Sequence, residues 1–469
     1  MTRILFSAVA ALFAVIMLSS PLYAEPGQVE VVGAFKLTEA AHSSDGSDRA
    51  KNGQPRFTGP IGARAVTYKG YQYAVYFSGK DRSKPRSEQF GEVFVARRKE
   101  GGGQWERAKL NGYKVTSDDA HNRPSIAISK GDGRIHIAFD HHNAKWMNYA
   151  NTAAGVADNP AGTIWDDSIF TYRKNFGWDN FRWVVTYPSF VESGDGDLLL
   201  YFRDGGSYGG EMQKVGYNSQ TQSWEKKIAR LSSQNGSWNG QNKTRGPYLS
   251  NGIQVGPDGS LQMSWLFREK ECQGNPKGEL YCNHGLYYAK SLDGGTVWRR
   301  YDGSVVADIA KGEAISIDNI GDPVVPLPYD VAPSNPANMS VIDPKTGNFH
   351  VLISHLAEAN DNTTRKTFHY VGSASGTSKW NGNASGFTLG GADLKFAGDT
   401  LYAFGSQRAD PEIYVAQRTD EFSTWESVKL PKVAGLRAAI HTADTAAGIH
   451  QGFMMGLLRL FGKCHHQKA

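Results

Sequence analysis

Cysteine is nearly missing from this chain: 469 residues contain only Cys272, Cys282 and Cys464. So few thiols exclude a disulfide-built scaffold and leave the core to ordinary apolar packing. An excess of charge of one sign is missing too, because 51 basic residues stand against 46 acidic ones and the net charge is +5. No basic run occurs, which argues against nucleic acid as a partner, so any preference for anions must come from where single charges sit. Long apolar stretches with a 3.6-residue period are lacking as well, which points away from a helical fold. What is abundant is aromatic side chain, 12% of residues with 11 Trp, together with 53 Gly and 19 Pro. That mixture fits many short strands joined by tight turns, an all-β fold.

The first stretch, "MTRILFSAVAALFAVIMLSSPLYA", has a basic start at Arg3, a short apolar run and Ala24 ahead of the polar "EPGQ". This is the layout of a secretory signal over residues 1–24, with a mature chain from near Glu25 that is secreted or periplasmic. A membrane anchor is the alternative, but the run is short and interrupted by serines.

Beyond it one unit recurs: an apolar strand, a glycine turn, a second apolar strand and, downstream, a tryptophan. The turn glycines Gly70, Gly133, Gly196 and Gly259 are spaced by 63 residues three times running, and looser copies centre on Gly347 and Gly398. The trailing tryptophans are Trp105, Trp165, Trp224, Trp298, Trp380 and Trp425. Units of this length cannot bury both faces alone and stack radially, which is the signature of a β-propeller. Six blades are countable. A seventh, built partly from the N-terminal "QVEVVGAFKL", would close the ring and hide its edges, giving a seven-bladed propeller over residues 25–430. Residues 431–469 fit no blade and are left as a C-terminal tail.

In a propeller both open ends of each inner hairpin lie on one rim. In "SDDAHNRPSIAISKGDGRIHIAFDHHN" those ends carry His121 on one side and Asp140, His141 and His142 on the other; in the next unit they carry Tyr187 and Arg203. Strand parity sets His141 with Ile135, Ile137 and Phe139 and puts His136 on the opposite face, as a packed blade-interface histidine, while His142 stays undecided. Arg64, Lys80, Arg245, Tyr248, Arg268 and Arg408 take equivalent rim positions, and Asn122 adjoins His121. A mouth lined with guanidinium groups points to an anionic substrate, and rim aromatics can stack on sugar rings.

Glycoside hydrolysis normally needs two carboxylates across the bond, and parity does not set Asp140 or Asp204 beside His121. A His, Tyr and Arg set suits β-elimination at a uronate instead. A guanidinium can offset the carboxylate charge as the C5 proton leaves, a neutral histidine can act as base and a tyrosine hydroxyl can protonate the departing oxygen. No organic cofactor is needed.

The stretches "DDAHNRPSIAIS", "IAFDHHN", "VTYPSF" and "LLLYFRDGG" resemble the ulvan lyases of polysaccharide lyase family twenty-five, and more weakly those of family twenty-four. The resemblance runs from the first blade to Trp425. It implies a propeller that cleaves ulvan, a green-algal polysaccharide of sulfated rhamnose and uronic acid. Carried over by position, His121 and Tyr187 are base and acid in an order that depends on uronate stereochemistry, Arg203 neutralises the carboxylate and His141 assists it. Arg64, Asn122, Arg245, Tyr248 and Arg268 then bind substrate.

Cys272, Cys282 and His284 share one loop, which fits either zinc ligation lacking an obvious fourth ligand or a Cys272–Cys282 disulfide. His355 is a candidate fourth ligand. Because some of the lyases bind a structural metal, the resemblance implies a structural zinc ion at Cys272, Cys282 and His284. The stretch "SLDGGTVW", Ser291 to Trp298, resembles the Asp-box of sialidases, a structural turn. A non-catalytic module binding anionic carbohydrate and, more distantly, a sialidase-like hydrolase are the competing readings.

Overall fold

A computed structural model describes residues 29–33, 65–78, 85, 90–115, 122, 124–206, 209–238, 241–248, 252–269, 282–334, 339–373, 380–389, 392–405, 412–428, 440–445, 448–453 and 456–460. The chain is an all-β propeller whose antiparallel sheets succeed one another in sequence. Five sheets have four strands, one has five and one has seven, and a short ribbon pairs Asn235–Trp238 with Gln241–Lys243.

The second sheet shows how the sequence builds a blade. "SIAIS" (Ser125–Ser129) and "RIHIA" (Arg134–Ala138) pair antiparallel, then Tyr149–Asn151 and Thr171–Tyr172 add outward. Alternation sends Ile135, Ile137 and Phe139 toward Tyr73, Val75 and Val95 of the first sheet. The opposite face packs Ala127 and Tyr149 against Leu200, Phe202, Tyr217 and Trp224 of the third. Each large apolar side chain buried this way stabilises the fold by about 1.5–3 kcal/mol. The turn glycines carry a backbone that side-chain-bearing residues avoid: φ is 64° at Gly133 and 88° at Gly196. A Cβ on Gly196 would stand 2.6 Å from the backbone nitrogen of Gly131, whose N–H donates to the Gly196 carbonyl at 3.0 Å. Neighbouring blade turns are thus tied directly.

Four of the six trailing tryptophans lie in outer strands, while Trp105 and Trp165 lie in loops. Trp224 lies in Ser223–Trp224, Trp298 in Val297–Arg299, and Trp380 and Trp425 open Trp380–Ala384 and Trp425–Val428. This explains why the C-terminal stretch fits no repeat. Ile440–Thr445, Gly448–Phe453 and Gly456–Leu460 form three strands of a four-stranded sheet, and its outermost strand is the N-terminal Val29–Gly33. The outer strand arrives from the other end of the chain, so no tryptophan trails. Part of the expected tail is therefore sheet.

The motif "SLDGGTVW" folds as an Asp-box turn. Asp293 Oδ1 accepts from Ser291 Oγ and from the N–H groups of Thr296 and Val297 at 2.7–3.1 Å, and Trp298 is fully buried. Its role is structural.

Candidate active site

The site is built where the second sheet hands over to the third. After Phe139 the chain reverses through Asp140, with φ 61°, and Asn143, with φ 58°. Ala144 and Val185 then exchange backbone hydrogen bonds of 3.0 and 2.7 Å, and the Asn143 N–H donates to Thr186 Oγ1 at 2.8 Å. This lashes the histidine loop to the start of Val185–Glu192. Within that strand the pairing with Leu198–Gly206 shifts register between Thr186 and Ser189. Tyr187 sits in the shift with φ 54°, a left-handed backbone unfavourable for a tyrosine. A bulge of this kind re-aims one side chain, and strain of this kind persists only where the surroundings enforce it. The result is a half-buried Tyr187 ring stacked on His142, with centroids 5.8 Å apart and planes 27° apart. Sequence reasoning left His142 unassigned; the structure pairs it with the proposed acid–base tyrosine. The signal was the doubled histidine, since parity can send only one of the two into the blade interior.

That one is His141. It is fully buried, its Nε2 accepts from the Asn148 N–H at 2.7 Å, and desolvation pushes its pKa down to about 3. Because Nε2 is an acceptor, the neutral ring carries its proton on Nδ1, which has no hydrogen-bond partner among the described residues. Asp140 alongside accepts from Tyr113 Oη at 2.7 Å and from Asn122 Nδ2 at 2.5 Å. Asn148 extends this network by donating to Tyr113 Oη and accepting from Tyr172 Oη, both at 3.0 Å. Burial raises the Tyr113 and Tyr172 pKa values, so both hydroxyls keep their protons. No sequence pattern singled out Tyr113 or Asn148. Asn122, expected to bind substrate, is buried here as a partner of Asp140.

His136 packs as expected: fully buried, with Nε2 3.0 Å from Ser129 Oγ and Nδ1 2.6 Å from Tyr149 Oη. Burial also lowers the pKa values of His136, His350 and His369. A histidine held neutral in the folded state binds fewer protons than its unfolded counterpart. The stability it confers is present above the unfolded pKa near 6.5 and is lost as pH falls toward the folded value, about 3 for His141. Unfolding free energies from denaturant titration should therefore fall as the pH drops from 6.5 to 4, by about 1.4 kcal/mol per pH unit for each such histidine. His141→Asn should flatten that slope, and an unchanged slope would contradict the assignment.

The cationic part of the site lies deeper than the sequence suggests. Arg203 is 2% exposed and donates to three carbonyl oxygens: Nε to Gly206 at 3.2 Å, Nη1 to Pro247 at 3.0 Å and Nη2 to Arg245 at 2.5 Å. Its guanidinium lies 4.3 Å from the centre of the Tyr248 ring, and that of Arg268 lies at the same distance from the same ring. Two cations thus share one aromatic ring. Desolvation lowers the Arg203 pKa, and the Arg268 charge acts in the same sense. Arg268 is half-buried and oriented by Nε donating to Asn283 Oδ1 at 2.7 Å. The Arg245 backbone N–H donates to the Arg268 carbonyl at 2.8 Å, joining the two segments. Arg203, which the sequence places on the rim, is pinned on backbone carbonyls and acts as a fixed buried charge. Asp204 accepts from the Val184 N–H at 2.8 Å and stands across the strand pair from Glu211, whose charge, after burial, helps raise the Asp204 pKa.

The zinc expectation does not fit the residues. Cys282 is disulfide-bonded, which removes its thiolate from any ligand set. Its partner, Cys272 or Cys464, lies outside the described residues, as do His121, Arg64, Lys80 and Arg408. His284 instead sets Nε2 2.8 Å from Glu269 Oε1 and stacks on Trp238 at 3.8 Å. His355 is occupied as well, 2.8 Å from the Leu356 carbonyl and 3.1 Å from Tyr370 Oη. No group of three or more His, Cys, Asp or Glu among the described residues could hold a metal ion. Thiol titration of denatured, unreduced protein should find one free thiol per chain, rising to three on reduction; three before reduction would restore the metal reading.

The chain is 26% identical over 234 residues to the ulvan lyase, long isoform, of Alteromonas sp. (strain LOR), a match covering 44% of this chain and 23% of that protein. The short isoform of the same strain is 24% identical over 246 residues, covering 44% of each, and the long isoform of Pseudoalteromonas sp. (strain PLSV) is 25% identical over 234 residues, covering 44% of this chain and 23% of that one. The matches thus span under half the length of these curated relatives. Among solved structures, that of polysaccharide lyase Uly1 superposes with a TM-score of 0.65 at 16% identity, covering 91% of this chain and 97% of that one, which supports the fold. The model of the BNR repeat-containing family matches residues 71–385, and with most of the chain inside that match, the protein belongs to the BNR repeat-containing family.

Proposed function

We propose that this protein is an exported, seven-bladed polysaccharide lyase that cleaves ulvan by β-elimination at the uronic acid. The blade count is supported by the contacts of the innermost strands. Those opening at Ala65, Ser125, Val185, Ile253, Ser340, Ala392 and Ile440 neighbour one another in that order, and the last neighbours the first. Export rests on the secretory pattern of residues 1–24.

The observation that carries the chemical reading is Tyr187, held in a strained bulge against His142 beside the Arg203–Tyr248–Arg268 stack. With a uronate seated there, the buried Arg203 charge and half-buried Arg268 offset the negative charge that grows on the carboxylate as C5 loses its proton. The electron pair left at C5 forms the C4–C5 double bond. The C4–oxygen bond breaks, and the departing oxygen takes a proton. His121 and Tyr187 supply base and acid. His141, held neutral with its proton on Nδ1, contributes a hydrogen-bond donor without adding charge.

Size-exclusion chromatography of ulvan before and after incubation with the purified protein tests whether this site cuts. Shorter chains are expected; a polymer of unchanged size that still binds the protein would favour the carbohydrate-binding module.

A further inference from the structure

Beside the site, the same loop that carries His141 and His142 presents Trp146, a tryptophan that is 41% exposed. Exposed tryptophans are uncommon on a soluble surface, and this one is deliberately held. The Met147 N–H donates to Asn175 Oδ1 at 3.0 Å and the Asn175 N–H donates to the Met147 carbonyl at 2.8 Å, tying the loop to the turn that follows Arg173. That turn is strained: Asn175 and Phe176 both take left-handed backbone, with φ 55° and 58°. Phe176 anchors it by burying its ring against Tyr149 and Trp224. The product of the strain and the ties is Lys174, whose ammonium sits 3.9 Å from the centre of a Trp146 ring. Lys174 and Lys145 are themselves exposed. The Ala144–Val185 bridge runs the segment bearing Arg182 and half-buried Trp183 antiparallel to this loop.

We propose that Trp146 and Lys174 form a remote subsite for a sulfated sugar of the polymer, separate from the reacting uronate. The indole face turned away from Lys174 stacks on the apolar face of a pyranose ring, and the ammonium over the other face meets a sulfate ester reaching past the ring edge. Trp146 follows His142 by four residues, at most about 14 Å even when extended, which keeps the subsite within roughly three sugars of the cleaved bond. The strained, cross-tied turn keeps the lysine and the indole in place before substrate arrives, which lowers the ordering cost of binding. This rests on the lyase reading for its polymer, and its test separates the two.

The test is electrophoresis through gels containing ulvan or chemically desulfated ulvan, with rates measured on the same proteins. Trp146→Ala should weaken retardation by native ulvan and raise KM on the polymer about tenfold while turnover stays near wild type. Lys174→Ala should lose retardation on native ulvan and match wild type on the desulfated polymer. Trp146→Phe should retain most of the retardation, which a folding defect at this position would not allow. On the shortest oligosaccharides that wild type cleaves, Trp146→Ala should be as fast as wild type. Equal mobility of wild type and Trp146→Ala in the native gel would overturn the subsite. If wild type fails to cut ulvan but Trp146→Ala still reduces retardation, the lyase reading falls and the subsite stands.

Discussion

Tyr187→Phe should leave the propeller folded and reduce turnover on ulvan by roughly 10²–10⁴-fold, the range that a positioned acid–base group contributes. The substitution removes one hydroxyl and keeps the ring that stacks on His142, so packing at the bulge is preserved. The strained backbone at Tyr187 and the register shift around it are costs that packing alone does not explain, because a tyrosine in regular pairing would avoid both. Since the proton is transferred in the transition state, the loss should fall on kcat with KM little changed. A Tyr187→Phe protein with near wild-type kcat would remove the tyrosine from the chemistry and leave it as a wall of the site.

Arg203→Lys should damage stability and catalysis together. A lysine keeps the charge but cannot serve the Gly206, Pro247 and Arg245 carbonyls at once, and it loses the flat contact with Tyr248. Leaving buried carbonyls without donors costs about 1–3 kcal/mol each, so an unfolding free energy lower by roughly 2–4 kcal/mol is expected in denaturant titration. Turnover measured where the variant is folded should fall more than about tenfold, because the charge is no longer fixed behind the uronate carboxylate. Unchanged stability would contradict the pinned geometry, and unchanged turnover would mean that Arg203 serves the fold alone.

Much of the architecture is legible in the chain because it depends on local rules. Gly133 and Gly196 are turn residues for a backbone reason, and Trp224, Trp298, Trp380 and Trp425 mark outer strands, so spacing alone lays out the blades. The C-terminal strands were invisible to the same pattern because their outer partner, Val29–Gly33, comes from the opposite end of the sequence. At the site, parity separates His136 from His141 and leads Tyr187 and Arg203 to one rim. It carries no information on depth, which is why Arg203 reads as a rim residue from sequence and lies buried in the fold. Depth also decides His141, which sequence places at the rim as an aid to Arg203 and which its environment keeps neutral and enclosed. At Cys282 the spacing admits both a metal ligand and a disulfide, and only the fold distinguishes them.

The most direct measurement is the ultraviolet absorbance of ulvan incubated with the purified wild-type protein, read beside the release of reducing ends. Elimination leaves a C4–C5 double bond conjugated with the uronate carboxylate, so absorbance should rise in step with new chain ends, and His121→Ala should abolish both. New reducing ends with no rise in absorbance would show hydrolysis and contradict the account.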